Sequence, residues 1–297
     1  MNLLEKFENV EINADVHISE TDRLFCKTHQ TAYESARNSL SELAYIWEEI
    51  YNSQDEILSA INENPSTYLS GSDGLKIGTE GIHDQIKGNH TTFISNLVSY
   101  FNSNYHVSIS MPDITESLLP KKPEDRYDSD YKEQLESYQK ALSDLSINYS
   151  DILRQISAQL NGRSFEEQAL HELRGKCHSA AWNRYKKTAE YQLKKTTIQL
   201  HYGCRYSAQY GYESRELYDS TKNILRGIAH YETDSFSCIP SSLSNVMKYY
   251  RLDSDYFEFS DCKKVASLKL FKNGRVDIRF ATEENARQFA DKYLGTS

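Results

Sequence analysis

The 297-residue sequence predicts a mainly helical α+β protein, with long helical arms and a compact C-terminal domain that closes on a β-hairpin and a helix. Three observations predict it. Two stretches, 33–61 and 127–160, carry apolar residues at alternating three- and four-residue steps, the spacing that lines up side chains along one helix face. Near the end, Val265–Phe271 and Arg275–Phe280 alternate apolar and polar residues around Asn273-Gly274, which reads as the two positive-φ residues of a type I′ hairpin turn. Thr282-Glu283-Glu284 then opens an amphipathic stretch through Ala286, Phe289, Ala290 and Leu294.

In chain order, residues 1–19 read as an extended arm, with Val10, Ile12, Val16 and Ile18 mostly on one parity. Helical spacing starts at Ser19-Glu20-Thr21-Asp22 and continues through Tyr33, Ala36, Leu40, Leu43, Trp47, Ile50, Ile57 and Ile61, a coiled-coil-like seam that Asn64-Pro65 stops. Residues 65–92 hold five of the 12 glycines and read as a surface loop. A short helix over Thr91–Phe101 and a short strand over Tyr105–Ile109 follow. Pro120-Lys121-Lys122-Pro123 is the clearest linker. A second seam runs through Tyr127, Tyr131, Leu135, Tyr138, Leu142, Leu145, Tyr149, Ile152, Ile156 and Leu160, and Asn161-Gly162 ends it with residues that tolerate positive φ. Residues 164–200 read as a third helix with a basic surface, followed by the tyrosine-rich stretch Tyr202–Tyr218. Helices over Glu213–Ile228 and Ser241–Tyr250 precede the hairpin. The domain reading is therefore 1–119 for arm, helical region and loop, 124–161 for one long seam helix, and 164–297 for the C-terminal domain.

Hydrophobic residues make up 38% of the chain, below the roughly 45–50% of a typical globular domain. A core that is thin in places suits a protein that buries further surface in an assembly, so a homo-oligomer is expected. No run approaches the roughly 18 apolar residues of a membrane span. Met1–Lys6 lacks a basic segment followed by an apolar one, so no secretory signal is expected. With five scattered cysteines, this points to reduced thiols and a cytoplasmic setting.

The net charge of −9 is unevenly spread. Residues 1–150 carry 25 acidic and 11 basic side chains, a balance of −14, whereas 151–297 carry 18 and 23, a balance of +5. An acidic half repels nucleic acid and anionic lipid and attracts basic protein surfaces. The expected contacts with such a surface are Glu42, Glu48, Glu49 and Asp55, with Trp47, Tyr51 and Tyr138 as aromatic anchors. In the basic half, Arg174, Lys176, Arg184, Lys186, Lys187, Lys194 and Lys195, followed by tyrosines, form the candidate nucleic-acid contact. The alternative is a core with tyrosine hydroxyls at its edge.

No specific catalytic motif is present. The glycine-rich segment lacks the Lys-Ser/Thr pair of a phosphate-binding loop. His171, Cys177, His178, His201 and Cys204 lie within 34 residues, but without Cys-x-x-Cys or a second His after His171-Glu172. No metal, cofactor or catalytic residue is assigned.

The C-terminal third resembles a domain family of unknown function from phages and mobile elements. Ala181-Trp182-Asn183-Arg184 and Phe271-Lys272-Asn273-Gly274-Arg275-Val276-Asp277-Ile278-Arg279-Phe280 carry the likeness. The general layout is also similar to that of phage-encoded inhibitors of the Gabija bacterial defence system. That likeness implies a non-enzymatic, oligomeric protein that binds a nuclease–helicase complex in the host cytoplasm and blocks DNA binding or cleavage. The alternative expectation is a DNA-related accessory factor or enzyme acting through residues 174–212.

Overall fold

The structure, a computed structural model, describes residues 18–61, 79–125, 127, 129–183, 185, 188–209 and 212–295. It is mainly helical with small antiparallel sheets, the α+β class read from the sequence. The chain divides into two compact units, 1–165 and 166–297. The predicted arm up to residue 17, and Gly71, Gly74 and Gly78 of the predicted loop, lie outside the described residues.

In the first unit, helix α1 (Glu20–Ser59) begins where the sequence places it. Ser19 Oγ accepts the Asp22 N–H at 3.2 Å, and the Asp22 carboxylate accepts the Ser19 N–H at 2.9 Å. This reciprocal cap satisfies two donors that the first turn leaves free. Asp22 is also buried and accepts hydroxyl bonds from Tyr100 and Tyr105. Burial alone would raise its pKa, but the bonds from Tyr105, Ser19 and Tyr100 together outweigh burial and hold it below the ordinary value.

Helix α2 (Thr79–Tyr105) corrects two expectations. It is not confined to Thr91–Phe101 but runs through Gly81 and Gly88. Each glycine costs a helix about 1 kcal/mol relative to alanine. Burial of Ile82, Ile86, Phe93, Ile94, Leu97, Val98 and Phe101 at helical spacing outweighs that cost. The strand expected over Tyr105–Ile109 is instead the helix end and a coil. There Asn102 donates to the Ile109 carbonyl and accepts its N–H, occupying the groups a neighbouring strand would have used. Helix α3 (Met111–Leu118) follows.

The single seam helix expected over 124–161 is two helices, α4 (Tyr131–Asp144) and α5 (Tyr149–Leu160). The break at 145–148 leaves backbone groups unpaired, and side chains of α1 take them. Gln30 donates to the Ile147 carbonyl at 3.0 Å and accepts the Tyr149 N–H at 2.7 Å. Tyr33 Oη accepts the Ile147 N–H at 3.1 Å, and Arg37 donates to the Leu145 carbonyl at 3.1 Å. Asn148 then caps α5, which ends at Asn161 and Gly162, both at positive φ as expected. His90, fully buried, ties the unit together: Nδ1 lies 2.9 Å from Tyr33 Oη, and Nε2 lies 3.0 Å from the Leu142 carbonyl.

In the second unit the expected helix 164–200 stops early. Helix α6 (Phe165–Ala181) gives way to a ribbon, β1 (Trp182–Asn183) with β2 (Thr188–Ala189), and then to β3 (Tyr191–Lys194) and β4 (Thr197–Leu200). The reason is a period of two: Ile198 and Leu200 are buried between half-exposed Thr197 and Gln199. The helix expected from Glu213 is likewise replaced, by the hairpin β5 (Cys204–Gln209) and β6 (Tyr212–Leu217), and α7 (Asp219–Thr233) starts later. Next come α8 (Ser241–Lys248), β7 (Tyr256–Glu258), β8 (Val265–Leu270), β9 (Val276–Phe280) and α9 (Glu283–Phe289), which continues as a π-helical turn through Leu294. The five-stranded sheet runs β3-β4-β9-β8-β7, all antiparallel. Its inner face packs with Leu225 and Ile228 of α7 and with Phe289 and Tyr293 beyond it.

The β8–β9 hairpin contains the irregularity that its residue parity requires. Val265, Leu268 and Leu270 cannot face one side of a regular strand together. A bulge between Val265 and Ser267 shifts the register, and all three are buried with Val276, Ile278 and Phe280. The turn differs from the type I′ read from Asn273-Gly274. Only Gly274 has positive φ (87°), its N–H bonds the Phe271 carbonyl at 3.0 Å, and the Phe271 N–H bonds the Arg275 carbonyl at 2.9 Å. This is a three-residue loop closing on a left-handed glycine. A Cβ at Gly274 would stand 3.1 Å from the Cys204 carbonyl oxygen. Gly274→Val is therefore expected to destabilise the protein by about 1–3 kcal/mol, measured as a lowered melting temperature.

Candidate functional site: an acidic, apolar-striped helix face

The first seam divides between two faces of α1. Along its distal half, Leu40, Ala44 and Trp47 pack against Ile82 and Ile86 of α2 and against Leu135, Tyr138 and Leu142 of α4. Leu43, Ile46, Ile50, Ile57 and Ile61 do not join them: they are 44%, 51%, 42%, 62% and 64% exposed. Burying such side chains is worth about 1.5–3 kcal/mol each, so an exposed row of four on α1, with Ile61 in the turn beyond its end, marks a contact surface. The sequence reading took most of these residues as one seam and did not single out Ile46. The period alone does not say which of two adjacent stripes meets the core.

The same part of α1 is acidic, with Glu42, Glu49 and Glu56 beside the stripe and Glu48 and Asp55 on the far side by helical spacing. Glu42, Glu48, Glu49, Asp55 and Glu56 are exposed, and no Lys or Arg occurs from 38 to 61. None of the five carboxylates forms an ion pair among the described residues. Glu49 accepts the Tyr45 hydroxyl at 2.7 Å, and this bond raises the Tyr45 pKa above its ordinary value. The expected contacts Glu42, Glu48, Glu49, Asp55 and Tyr51 thus lie on the surface. The other two anchors need correction. Tyr138 is 8% exposed and belongs to the core with Leu142, and Trp47 is half-buried against the same cluster.

Beside that cluster a cavity of about 320 Å³ is lined by His83, Asp84 and Lys87 of α2, by Lys122, and by Tyr131, Leu135, Tyr138, Gln139 and Leu142 of α4. Burial lowers the His83 pKa, and Glu48 and Asp84 oppose that shift. Next to this lining, Ser143 Oγ lies 3.5 Å from His83 Nδ1, at the outer limit of a hydrogen bond.

The second unit does not gather the expected basic residues on one helix. Arg174 and Lys176 are on α6, with the Arg174 guanidinium 5.9 Å from the Tyr293 ring centre. Lys194 ends β3 and Lys195 forms the following turn at φ 45°. Arg184, Lys186 and Lys187 lie outside the described residues. The histidine and cysteine group is likewise dispersed. Cys177 is buried, donates to the Asn223 carbonyl, and is pushed up to about 12 by burial. His178 Nδ1 lies 3.1 Å from the Leu294 carbonyl, His201 is exposed, and burial raises the pKa of Cys204. A thiol held neutral in this way is a poor nucleophile and a poor metal ligand. Among the described residues no three His, Cys, Asp or Glu side chains form a group that could hold a metal ion. Among the same residues, no helix is long and apolar enough to cross a membrane.

Compared with protein families, with curated proteins and with solved structures, the chain matches none.

Proposed function

We propose that this protein is a phage or mobile-element product that inhibits a bacterial anti-phage defence complex by direct binding in the host cytoplasm, blocking DNA binding or cleavage. The observation that carries the reading is the distal half of α1, where Leu43, Ile46, Ile50 and Ile57 are exposed beside Glu42, Glu49 and Glu56, none of which forms an ion pair among the described residues. A surface of that kind competes with phosphates for a basic face and adds apolar contact that phosphates lack. The likeness of Ala181-Trp182 and of the Phe271–Phe280 hairpin to a mobile-element family supports the source. Binding through several copies of the chain is part of the same proposal.

Expression in bacteria that carry a defence nuclease complex is expected to restore phage growth. The purified chain should co-elute with that complex and remove its affinity for DNA. Cys177→Ala, His178→Ala, His201→Ala and Cys204→Ala, made singly, should leave inhibition intact. Loss of inhibition in one of them, with the fold and the complex retained, would replace occupancy by turnover as the mode of action.

A further inference from the structure

We infer that the distal half of α1 is one strand of a heterotypic coiled coil, and that the missing strand is a basic amphipathic helix of the partner. The inference rests on the binding reading above and names the partner element. Leu43, Ile50 and Ile57 are seven residues apart, as are Ile46, Ser53 and Ala60 three positions further on. These two sets are the alternating core positions of a heptad repeat. Leu43, Ile46, Ile50, Ser53, Ile57 and Ala60 are all exposed. Helix α1 is continuous from Glu20 to Ser59, so the seam is already formed before a partner arrives. Glu42 to Ala60 spans about 28 Å at 1.5 Å per residue.

Charge selects the occupant. Glu42, Glu49 and Glu56 each immediately precede a core position, so they form one flanking row at the same seven-residue spacing. Flanking rows face the partner helix and set its identity and orientation. A second copy running antiparallel would bring this row against its own equivalent, three carboxylates facing three. A second copy running parallel would set the row against the positions of Trp47, Gln54 and Ile61, which carry no cation, and Trp47 is already packed inside its own unit. A helix with Lys or Arg at its flanking positions meets all three carboxylates and covers the stripe. Glu48 and Asp55 point away from the seam by helical spacing, so they contribute to the field and not to the contact.

The test uses the full chain and a labelled synthetic peptide of four heptads with Leu at both core positions and Lys at both flanking positions. A twin peptide carries Glu in place of Lys. The Lys peptide is expected to bind and the Glu twin to bind at least a hundredfold more weakly. The triple variant Ile46→Asp, Ile50→Asp, Ile57→Asp changes only exposed positions and makes the protein more acidic. It should nevertheless lose the Lys peptide by at least tenfold. Ile50→Ala with Ile57→Ala serves as the milder variant, and circular dichroism melting checks that both fold. The inference is overturned if the Lys peptide does not bind, if either variant binds it as wild type does, or if the Glu twin binds equally well. It is also overturned if light scattering shows a dimer of the free chain that the triple variant dissolves, because the occupant is then a second copy. A chain that binds the Lys peptide as expected but fails to restore phage growth leaves the coiled coil standing and refutes the defence-inhibitor reading.

Discussion

His90→Ala is expected to destabilise the N-terminal unit by about 3–5 kcal/mol, a large share of the roughly 5–15 kcal/mol that holds a typical domain together. His90 is fully buried, and its two ring nitrogens serve two elements at once. With Nε2–H donating to the Leu142 carbonyl, Nδ1 is left to accept the Tyr33 hydroxyl proton, and Tyr33 Oη is then free to accept the Ile147 N–H. One neutral imidazole therefore links α1, α2, the end of α4 and the break before α5. Alanine leaves the Tyr33 hydroxyl and the Leu142 carbonyl without these partners and opens a cavity among Tyr33, Phe93 and Leu142. Thermal melting followed by circular dichroism should shift down by roughly 10–15 °C.

The same residue predicts a pH dependence. Burial lowers the His90 pKa below the ordinary value, with Arg37 acting in the same direction and the bond to Leu142 opposing. A histidine whose folded pKa is depressed binds its proton more readily when unfolded. Its contribution is therefore present above about pH 6.5, the unfolded value, and is lost as pH falls toward and through the folded one. His83, in the same unit, is shifted in the same direction. The melting temperature should fall between pH 7 and pH 5, with a slope of up to about 1.4 kcal/mol per pH unit for each histidine. In His90→Ala part of that dependence should disappear.

Reversing Glu42, Glu48, Glu49 and Asp55 together to Lys is expected to slow association with the partner by one to two orders of magnitude at low salt, without unfolding the protein. All four are exposed and none forms an ion pair among the described residues, so the folded state loses no ion pair there. The substitutions turn a −5 stretch with no basic residue into a positive one, and steering by surface charge changes association rates by up to 10³-fold. Raising salt to physiological strength and above should shrink the difference, because the charges are separated by water. Stopped-flow or surface-binding kinetics would show it. Glu42 and Glu49 flank the apolar row, so reversing these two should also speed dissociation. Reversal of Glu48 and Asp55 should act on association alone. Equal dissociation rates for the two pairs would remove Glu42 and Glu49 from the contact.

Features set by a few neighbouring residues were legible in the sequence. The Ser19–Asp22 cap, the Asn161-Gly162 stop and the Thr282 start each depend on one turn of chain, and each is found in place. The hairpin was legible because alternation is a property of the strand itself, whereas its parity allowed either two covered faces or a bulge, and the structure has the bulge, between Val265 and Ser267. The acidic character of 42–56 was legible too, since charge is additive along the chain. Tertiary structure decided the rest. The break in the second seam is held by Gln30 and Tyr33, 117 and 114 positions from Ile147. No local pattern at 145–148 carries that information, and the unpaired backbone is stable only because those side chains reach it. The basic stretch 191–200 became strands because Ile198 and Leu200 found Ile278 and Val276 across the sheet, a gain that propensity in a lysine-rich segment does not anticipate. On α1, two apolar stripes share one helical period, so the sequence named the acidic residues Glu42, Glu48, Glu49 and Asp55 but took Trp47 and Tyr138 as anchors in place of the exposed row. Packing of Trp47 against α2 and α4 chose one stripe for the core. The stripe through Leu43, Ile50 and Ile57 was left on the surface because the described part of the unit has no second helix to cover it.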